Sequence, residues 1–586
     1  MAITRRDLLL FGGGAVAAAP FTPVPYKLLD DVSIWTQNFP WIPVPQAGAV
    51  THAATACTLC SAGCGMKVRC VDGRPVGVSP VAGHPVSRGA LCAMAFGAHQ
   101  LAWHPLRRRE CRLDGAKAEP ARIAARMAEA IAAGRKFAIL DERPGRAVSS
   151  LYRQAAAKAG GLYLAARPQE EEPLAALCRL AGAGAPEFGF DLAHARTVLS
   201  FGAPLLDGWG APGQTLERWK SGEVRFIHAG SRYSHTARLA HEWLPLLPGS
   251  EAALALALAR VLVDEGLAAP APGLDQFREL LEELPLSRAA GLTGLKPERI
   301  VETARALHAQ QPAVAIGGGD AAAPLGRETE AAIAALNVLL GTAGREGGVV
   351  ARRPLPADLP EMAEVTPLEE APLGSIGILL IEAATAGVAR PWEAIAARLA
   401  PDALVVALSA YDSGYAARAH ALVATPAFLE AIEEAPTAPG AARHSYALAP
   451  AVLQAPETAI TPAEFIALVA AAAGWDGLAE ATPETVMKAR AAAIFAARRG
   501  SVFALADGAE TPVSGIASAD ELYGKLAAGA VWVDDAPPPG APKLALPGST
   551  VAERTQILAA ATQPAGEPAG GYELVAIPAA WSGAVP

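Results

Sequence analysis

Five of the seven cysteines lie in one short stretch of the chain, residues 57–92. Cys57, Cys60 and Cys64 follow the spacing CxxCxxxC, and Cys92 comes after a further gap of 27 residues. Such crowding in a large chain indicates a metal or cluster site more than a disulfide framework. A cubane [4Fe–4S] cluster needs four thiolates at the corners of a tetrahedron, and these four cysteines can provide them.

The loops that carry these cysteines must hold three sulfurs together and deliver the fourth from a distance. Gly63 and Gly65 allow the first loop to curl, and the segment 89–92 brings the last sulfur. The spacing therefore predicts one [4Fe–4S] cluster bound by all four cysteines, with a structural zinc site and disulfides as the alternatives. The remaining cysteines are interpreted as structural thiols: Cys70, Cys111 and Cys178.

The composition is that of a large globular protein. The 586 residues suffice for three or four domains, and 52% hydrophobic against 18% charged residues allows large cores. The formal net charge of −9 argues against a nucleic-acid partner, because such proteins normally present a basic face. No nucleophile–base constellation stands out. His84, His99 and His104 could line an electron path, with solvent-exposed or capping roles as the alternative.

The N-terminus has the features of a twin-arginine export signal. Arg5 and Arg6 precede a Gly/Ala-rich apolar stretch that runs to Ala19. The alternative is an ordinary basic start to a buried helix. Ala17–Ala19 would form a cleavage site, but Pro20 follows and hinders cleavage. We therefore expect residues 1–25 to direct export to the periplasmic side of the cytoplasmic membrane, either cleaved or retained as an anchor.

Helical and strand patterns alternate from about residue 118 onward, which predicts parallel α/β layers. We expect a [4Fe–4S] domain over 26–112, α/β domains over 113–435, and a degenerate C-terminal region over 436–586. Stretches 252–263 and 465–473 are too short to span a membrane and are expected to be core helices. The clearest helices are expected at 121–133, 149–159, 251–265 and 327–340. The clearest buried strands are expected at Phe137–Leu140, Thr197–Phe201, Val224–His228, Ala313–Ile316, Ile376–Ile381 and Leu404–Leu408.

Several segments taken together resemble the molybdopterin (DMSO reductase-type) oxidoreductases over about residues 50–430. They are Cys57–Cys92, His104–Arg108, Asp191–Ala203, Ser231–Ala237, Glu242–Leu254, Pro312–Gly319 and Leu336–Gly348. The resemblance implies a small Fe–S domain followed by Rossmann-like parallel α/β domains. Gly202, Gly230 and Gly317–Gly319 follow predicted strands, where backbone can approach a phosphate, although ordinary strand–helix turns would look the same.

Three departures from that family pattern concern the molybdenum cofactor. The resemblance implies a Cys, selenocysteine, Ser or Asp metal ligand where this chain has Ala166–Glu171, and a Lys or Arg beside the cluster where it has Met94. The terminal β-barrel domain of the family is expected to be reduced or absent. We therefore expect no bound molybdenum. A catalytic molybdenum or tungsten enzyme with Glu170 as an atypical ligand is the alternative.

Residues 30–43 and 200–210 resemble one subfamily, the molybdenum-free, molybdopterin-binding-like subunits of periplasmic menaquinone reductase complexes, which are related to alternative complex III. The resemblance implies a non-catalytic electron-transfer or scaffold subunit. It also implies three partners: a multihaem cytochrome c, a ferredoxin-like Fe–S subunit and a polytopic quinone-binding membrane subunit. A purely structural or maturation protein is a further alternative.

Overall fold

The computed structural model describes residues 4–18, 48–165, 169–182, 187–319, 324–356, 366–382, 391–535 and 544–562. These residues divide into two compact units: the smaller comprises residues 4–18, 48–51 and 70–74, and the larger comprises the other described residues. Residues 30–43, which carry part of the subfamily resemblance, lie outside the described ranges. In the smaller unit one helix, Arg5–Ala18, has every side chain exposed. Within the described ranges, no helix has both the length and the apolar character needed to cross a bilayer.

The helices are, in chain order, α1 Arg5–Ala18, α2 Ala93–Gly97, α3 Pro120–Ala132, α4 Ala147–Lys158, α5 Glu172–Ala181, α6 Pro212–Ser221, α7 His235–Leu239, α8 Glu251–Asp264, α9 Leu274–Glu282, α10 Leu286–Thr293, α11 Pro297–Ala309, α12 Arg327–Leu339, α13 Trp392–Ala396, α14 Pro462–Ala473, α15 Pro483–Ala497, α16 Ala519–Ala527 and α17 Val551–Thr562. A 3₁₀ helix, Ala98–Trp103, follows α2 directly.

The strands are β1 Val50–Ala56, β2 Gly65–Val71, β3 Arg74–Pro80, β4 Arg112–Leu113, β5 Ala116–Lys117, β6 Phe137–Asp141, β7 Leu162–Ala165, β8 Phe188–Phe190, β9 Thr197–Phe201, β10 Arg225–Gly230, β11 Glu242–Pro245, β12 Ala313–Ile316, β13 Val349–Ala351, β14 Ile376–Glu382, β15 Leu399–Ser409, β16 Ala421–Ala424, β17 Glu433–Ala435, β18 Ser445–Ala449, β19 Ser501–Ala504, β20 Glu510–Pro512 and β21 Ala530–Val533.

The first α/β layer is a seven-stranded sheet in the order β5-β4-β16-β15-β14-β6-β7. Strands β16, β15, β14, β6 and β7 are parallel, and the short β4–β5 hairpin closes one edge. Every residue of β6 and β14 is buried, as expected for a parallel strand covered on both faces. Helices α3, α4 and α14 pack into the same core.

The second α/β layer lies between β7 and β14 in the chain. Its four-stranded parallel sheet has the order β11-β10-β9-β12. Helix α8 is almost wholly buried in its core, because its Ala and Leu side chains leave little surface that needs water. The predicted parallel α/β layers are thus confirmed, with strand bounds identical to the prediction for β9 and β12.

A five-stranded antiparallel sheet has the order β17-β18-β21-β19-β20. Its strands come after β16, the last strand of the first layer in the chain. Helices α15 and α16 cover it around the fully buried Trp532. The strand order is that of an open sheet, and no closed barrel occurs among the described residues. Four of its five strands lie within residues 436–586, where the sequence predicted only a degenerate C-terminal region.

Candidate functional site

The four cysteines of the predicted cluster site lie on two loops. Cys57, Cys60 and Cys64 lie in the turn between β1 and β2, which is closed by a bond from the Cys57 amide to the Cys64 carbonyl at 2.8 Å. Cys92 is the N-cap residue of α2. Three of the side chains are buried, and Cys60 is partly exposed. None of the four forms a disulfide within the described residues.

Two glycines make the first loop possible. Gly63 has a φ of +59°, and a Cβ added there would lie 2.8 Å from the Cβ of Ala435. A Cβ on Gly65 would clash with the imidazole ring of the buried His84. The loop therefore requires residues without a side chain at the two positions that the sequence singled out.

Backbone amides surround the four sulfurs. Amide N–H groups bond to each of them: Leu59 to Cys57, Ala62 to Cys60, Gly213 to Cys64, and both Met94 and Ala95 to Cys92. Such donors stabilise thiolate charge and tune iron–sulfur clusters. The Gly213 donor comes from the first turn of α6 in the second α/β layer, and no sequence motif predicted this contact.

Burial opposes ionisation of these thiols. It raises the pKa of Cys60 to about 11, and the neighbouring Cys92 and Glu170 add to that rise. The Ala62 amide and the guanidinium of Arg143 act in the opposite direction. Four thiols with raised pKa values become good ligands when a cationic centre compensates their charge.

Arg143 supplies the cation that the sequence did not identify. It follows β6, and its guanidinium donates to the carbonyl of Thr58 at 2.9 Å, inside the cysteine loop. Met94, in the position where a cation was sought, is half-buried in α2. The position of Arg143 just after a buried strand was the one available signal, because side chains at such strand ends point into a shared crevice.

Carboxylates fill the strand ends of the first layer. The carboxylate of Glu434 accepts the amides of Ala147 and Val148 at 2.8 and 3.3 Å, at the N-terminus of α4. It also accepts the hydroxyl of Tyr446 at 2.7 Å. A helix N-terminus beside parallel strands is a ready anion site, and here the anion is a side chain of the chain itself.

A buried ionic cluster lies at the carboxyl ends of β6 and β14. Arg146 pairs with Glu382 at the end of β14 and lies 3.5 Å from Asp141 at the end of β6. Tyr152 donates to Glu382 at 3.1 Å, and Ser149 donates to Asp141 at 2.7 Å. Polar groups of the protein thus satisfy one another where a bound anion would otherwise be expected.

The second layer repeats the pattern after β12. The carboxylate of Glu330, on α12, accepts the Gly318 amide at 2.6 Å. A Cβ added to Gly317 would clash with this carboxylate, so the glycine is needed for the approach of a glutamate. Burial raises the pKa of Glu330 to about 7. At the neighbouring strand ends, Ser200 bonds to His228 at 2.7 Å, and burial lowers the pKa of that imidazole to about 4.

Two further glutamates come from Ala166–Glu171, the segment at the position where the family resemblance implies a metal ligand. Glu170 accepts the Gly210 amide at 3.1 Å, and burial raises its pKa. Glu171 accepts the Gly440 amide at 2.8 Å and pairs with Arg352 at 3.1 Å. Residues 166–168 of this segment lie outside the described ranges.

Comparison with known proteins identifies the family. The family model described as the molybdopterin oxidoreductase Fe4S4 domain matches residues 51–99, and the model described as molybdopterin oxidoreductase matches residues 126–414. The chain belongs to the molybdopterin oxidoreductase family.

The relatives of this chain are subunits of different oxidoreductases. The molybdopterin-binding-like subunit of menaquinone reductase from Nitratidesulfovibrio vulgaris is 34% identical over 387 residues, which is 62% of this chain and 55% of that protein. The F420-dependent formate dehydrogenase 2 subunit alpha of Methanococcus maripaludis is 25% identical over 269 residues, 43% of this chain and 40% of that protein. The chain thus spans about half of the length of these relatives, or less.

Among solved structures, acetylene hydratase from Pelobacter acetylenicus has the same fold. The TM-score is 0.58 at 15% identity, over 73% of this chain and 70% of that one. The expected molybdopterin oxidoreductase fold is therefore confirmed.

Carboxylates of the chain occupy the backbone amides at the strand ends of both layers. A pyrophosphate on the amides of Ala147 or Gly318 would meet the carboxylates of Glu434 or Glu330. A cavity of about 340 Å³ lies nearby, lined by residues that include Ser61, Cys178, Arg352, His444, Tyr446 and Arg490. This volume lies near the lower end of the range for cavities that hold one drug-sized ligand, about 300 Å³.

The three histidines near Cys92 have capping roles. The buried His84 accepts the Ser87 amide at 3.0 Å, His99 contacts the Phe96 carbonyl at 3.0 Å, and His104 accepts the Leu106 amide at 3.2 Å. Of the other thiols, Cys111 is buried and accepts the Ala424 amide at 3.3 Å.

Proposed function

We propose that this chain is a non-catalytic iron–sulfur subunit that transfers electrons and supports the assembly of a menaquinone reductase complex facing the periplasm. The observation that carries the proposal is the combination of a built cysteine site with strand ends occupied by glutamates. The likeness to a subunit named as part of menaquinone reductase supports the complex.

In this proposal Cys57, Cys60, Cys64 and Cys92 hold one [4Fe–4S] cluster. Such a cluster supplies one-electron transfer when bound. The surrounding amides donate to the sulfurs, and the guanidinium of Arg143 lies beside the cysteine loop. These groups stabilise negative charge, while burial of the sulfurs limits the access of water.

No molybdenum or tungsten is bound in this proposal, and the chain performs no substrate chemistry alone. The alternative, a catalytic enzyme, requires Glu170 as a metal ligand. That carboxylate already accepts the Gly210 amide and is buried, with its pKa raised. The Gly210 amide already occupies one carboxylate oxygen of Glu170, which leaves that oxygen less available to a metal.

The location and the partners follow from the same reasoning. We infer that Arg5 and Arg6 direct twin-arginine export and that the exposed helix α1 belongs to the signal, cleaved or retained as an anchor. The proposed partners are a multihaem cytochrome c, a ferredoxin-like Fe–S subunit and a polytopic quinone-binding membrane subunit.

The test is quinone reduction by the complex that a tagged chain retrieves from native membranes. Cells grown with tungstate in place of molybdate should yield a complex with unchanged activity. Cys60→Ser should lower activity and remove the contribution of this subunit to the cubane EPR signal. Cys70→Ser is the matched control, because Cys70 is buried outside the four-cysteine set. Activity that disappears with tungstate would favour the catalytic alternative.

A further inference from the structure

A row of exposed side chains lies on the helical segment that follows Cys92. Phe96 and Trp103 are 48% and 41% exposed, and Leu106, just beyond the segment, is 42% exposed. Helical spacing places Phe96, Gln100 and Trp103 on one side of the segment. Its other side is buried through Ala95, Ala98, Leu101 and Ala102. We call the exposed set Phe96, Gln100, Trp103 and Leu106 the Phe96–Leu106 face.

This face is held rigidly. The Leu101 carbonyl accepts the hydroxyl of Tyr411 at 3.1 Å. Arg107 pairs with Glu430 at 2.5 Å, and both side chains are almost fully buried. A rigid surface loses little conformational entropy on binding, so its apolar groups are available for a partner.

The Phe96–Leu106 face also begins next to the cysteine site. Cys92 is the N-cap of α2, and the amides of Met94 and Ala95 bond to its sulfur. The same short helix therefore presents one sulfur of the site on its inner end and Phe96 to solvent. About one helical turn separates Cys92 from the exposed Phe96.

The charge around the face is positive although the whole chain is negative. Of the five arginines in residues 88–112, Arg107 pairs with Glu430, and both Arg108 and Arg112 pair with Asp412. The single carboxylate of this segment, Glu110, pairs with Lys117, and the whole chain carries a net −9. Arg88 and Arg109 are exposed, and neither forms an ion pair with a described residue. Complementary charge steers partners and sets specificity, which favours an acidic partner.

We propose that the Phe96–Leu106 face docks a separate electron-transfer protein whose exposed cofactor edge is ringed by carboxylates. The electron route rests on the proposed function, since it needs a cluster at the four cysteines. The docking itself rests on the apolar face and its basic surroundings.

The experiment uses the full chain and an acidic flavodoxin as the probe, with basic cytochrome c as the probe of opposite charge. Binding is measured by surface plasmon resonance at low and high salt, and cluster reduction by stopped flow. The test variants are Arg109→Glu and the double variant Phe96→Ser/Trp103→Ser. The matched controls are Arg288→Glu, an exposed arginine of α10, and Leu373→Ser, a leucine that is 70% exposed.

Both test variants should weaken flavodoxin binding about tenfold or more, because apolar anchors and steering charges dominate such interfaces. The controls should stay within about twofold of wild type, and dithionite should reduce the cluster equally fast in every variant. Equal flavodoxin binding by test variants and wild type would overturn the proposal. So would tighter binding of cytochrome c, or a homodimer that Phe96→Ser/Trp103→Ser dissociates. Face-dependent binding by a chain without a cluster would count against the proposed function and leave the docking intact.

Discussion

Replacing Glu434 with alanine tests whether the chain supplies its own anion at the strand end of the first layer. The carboxylate accepts the amides of Ala147 and Val148 and the hydroxyl of Tyr446, and it lies 3.8 Å from the guanidinium of Arg490. Its side chain is only 4% exposed. Glu434→Ala therefore leaves three donors and one cation in the interior without their partner.

The magnitude follows from these contacts. Hydrogen bonds to a charged group contribute about 1.5–3 kcal/mol each, and removing one partner of a buried pair costs about 3–5 kcal/mol. These contributions describe the same contacts and do not add, so we expect the local free energy of unfolding to fall by about 3–5 kcal/mol. A loss of about 3 kcal/mol corresponds to a roughly 100-fold increase in opening of the first turn of α4.

Hydrogen exchange of the α4 amides, followed by mass spectrometry on the full chain, measures this opening. Glu434→Ala should exchange about 100-fold faster there, and acetate or phosphate should restore part of the protection by occupying the vacated position. Glu298→Ala is the control, because Glu298 lies in the first turn of α11 but is exposed; its cost should stay below about 1 kcal/mol. Unchanged protection in Glu434→Ala would refute the reasoning.

Three other predictions concern the cysteines, a buried acid and the N-terminus. Cys60→Ser should abolish the cubane EPR signal of the purified chain, whereas Cys70→Ser should retain it. In the folded protein, Glu330 holds its proton up to about pH 7. Its contribution to the free energy of unfolding is therefore fully present below about pH 4.5 and is lost as the pH rises to 7. Glu330→Gln should remove roughly 3 kcal/mol of this pH dependence in urea titrations, and identical pH profiles of variant and wild type would contradict the prediction. Arg5→Lys with Arg6→Lys should leave the protein in the cytoplasm on cell fractionation, and normal export would exclude a twin-arginine route.

The sequence was sufficient to predict the parallel layers because their strands are short, continuous apolar runs between helical patterns. β9 and β12 are wholly buried, so every position had to be apolar or small and the run stood out. The cysteine loop was equally predictable, because its three cysteines and its glycines are close in sequence.

Long-range partners were not predictable in this way. Glu434 reaches the amide of Ala147 across 287 residues, and Gly213 reaches a sulfur from a different layer. For neither residue does the surrounding sequence indicate which distant residue it contacts. The antiparallel strands after β16 were missed because they are three to five residues long and the Ala-rich sequence around them favours helix equally well.

The most direct test of the proposed function is the metal content of the complex purified from native membranes through a tagged chain. Inductively coupled plasma mass spectrometry should find about four iron atoms attributable to this subunit, in the amount that Cys60→Ser removes. Molybdenum and tungsten should be well below one atom per chain. One molybdenum or tungsten atom per chain, retained in Cys70→Ser and lost in Glu170→Gln, would contradict the proposal and make the chain a catalytic enzyme.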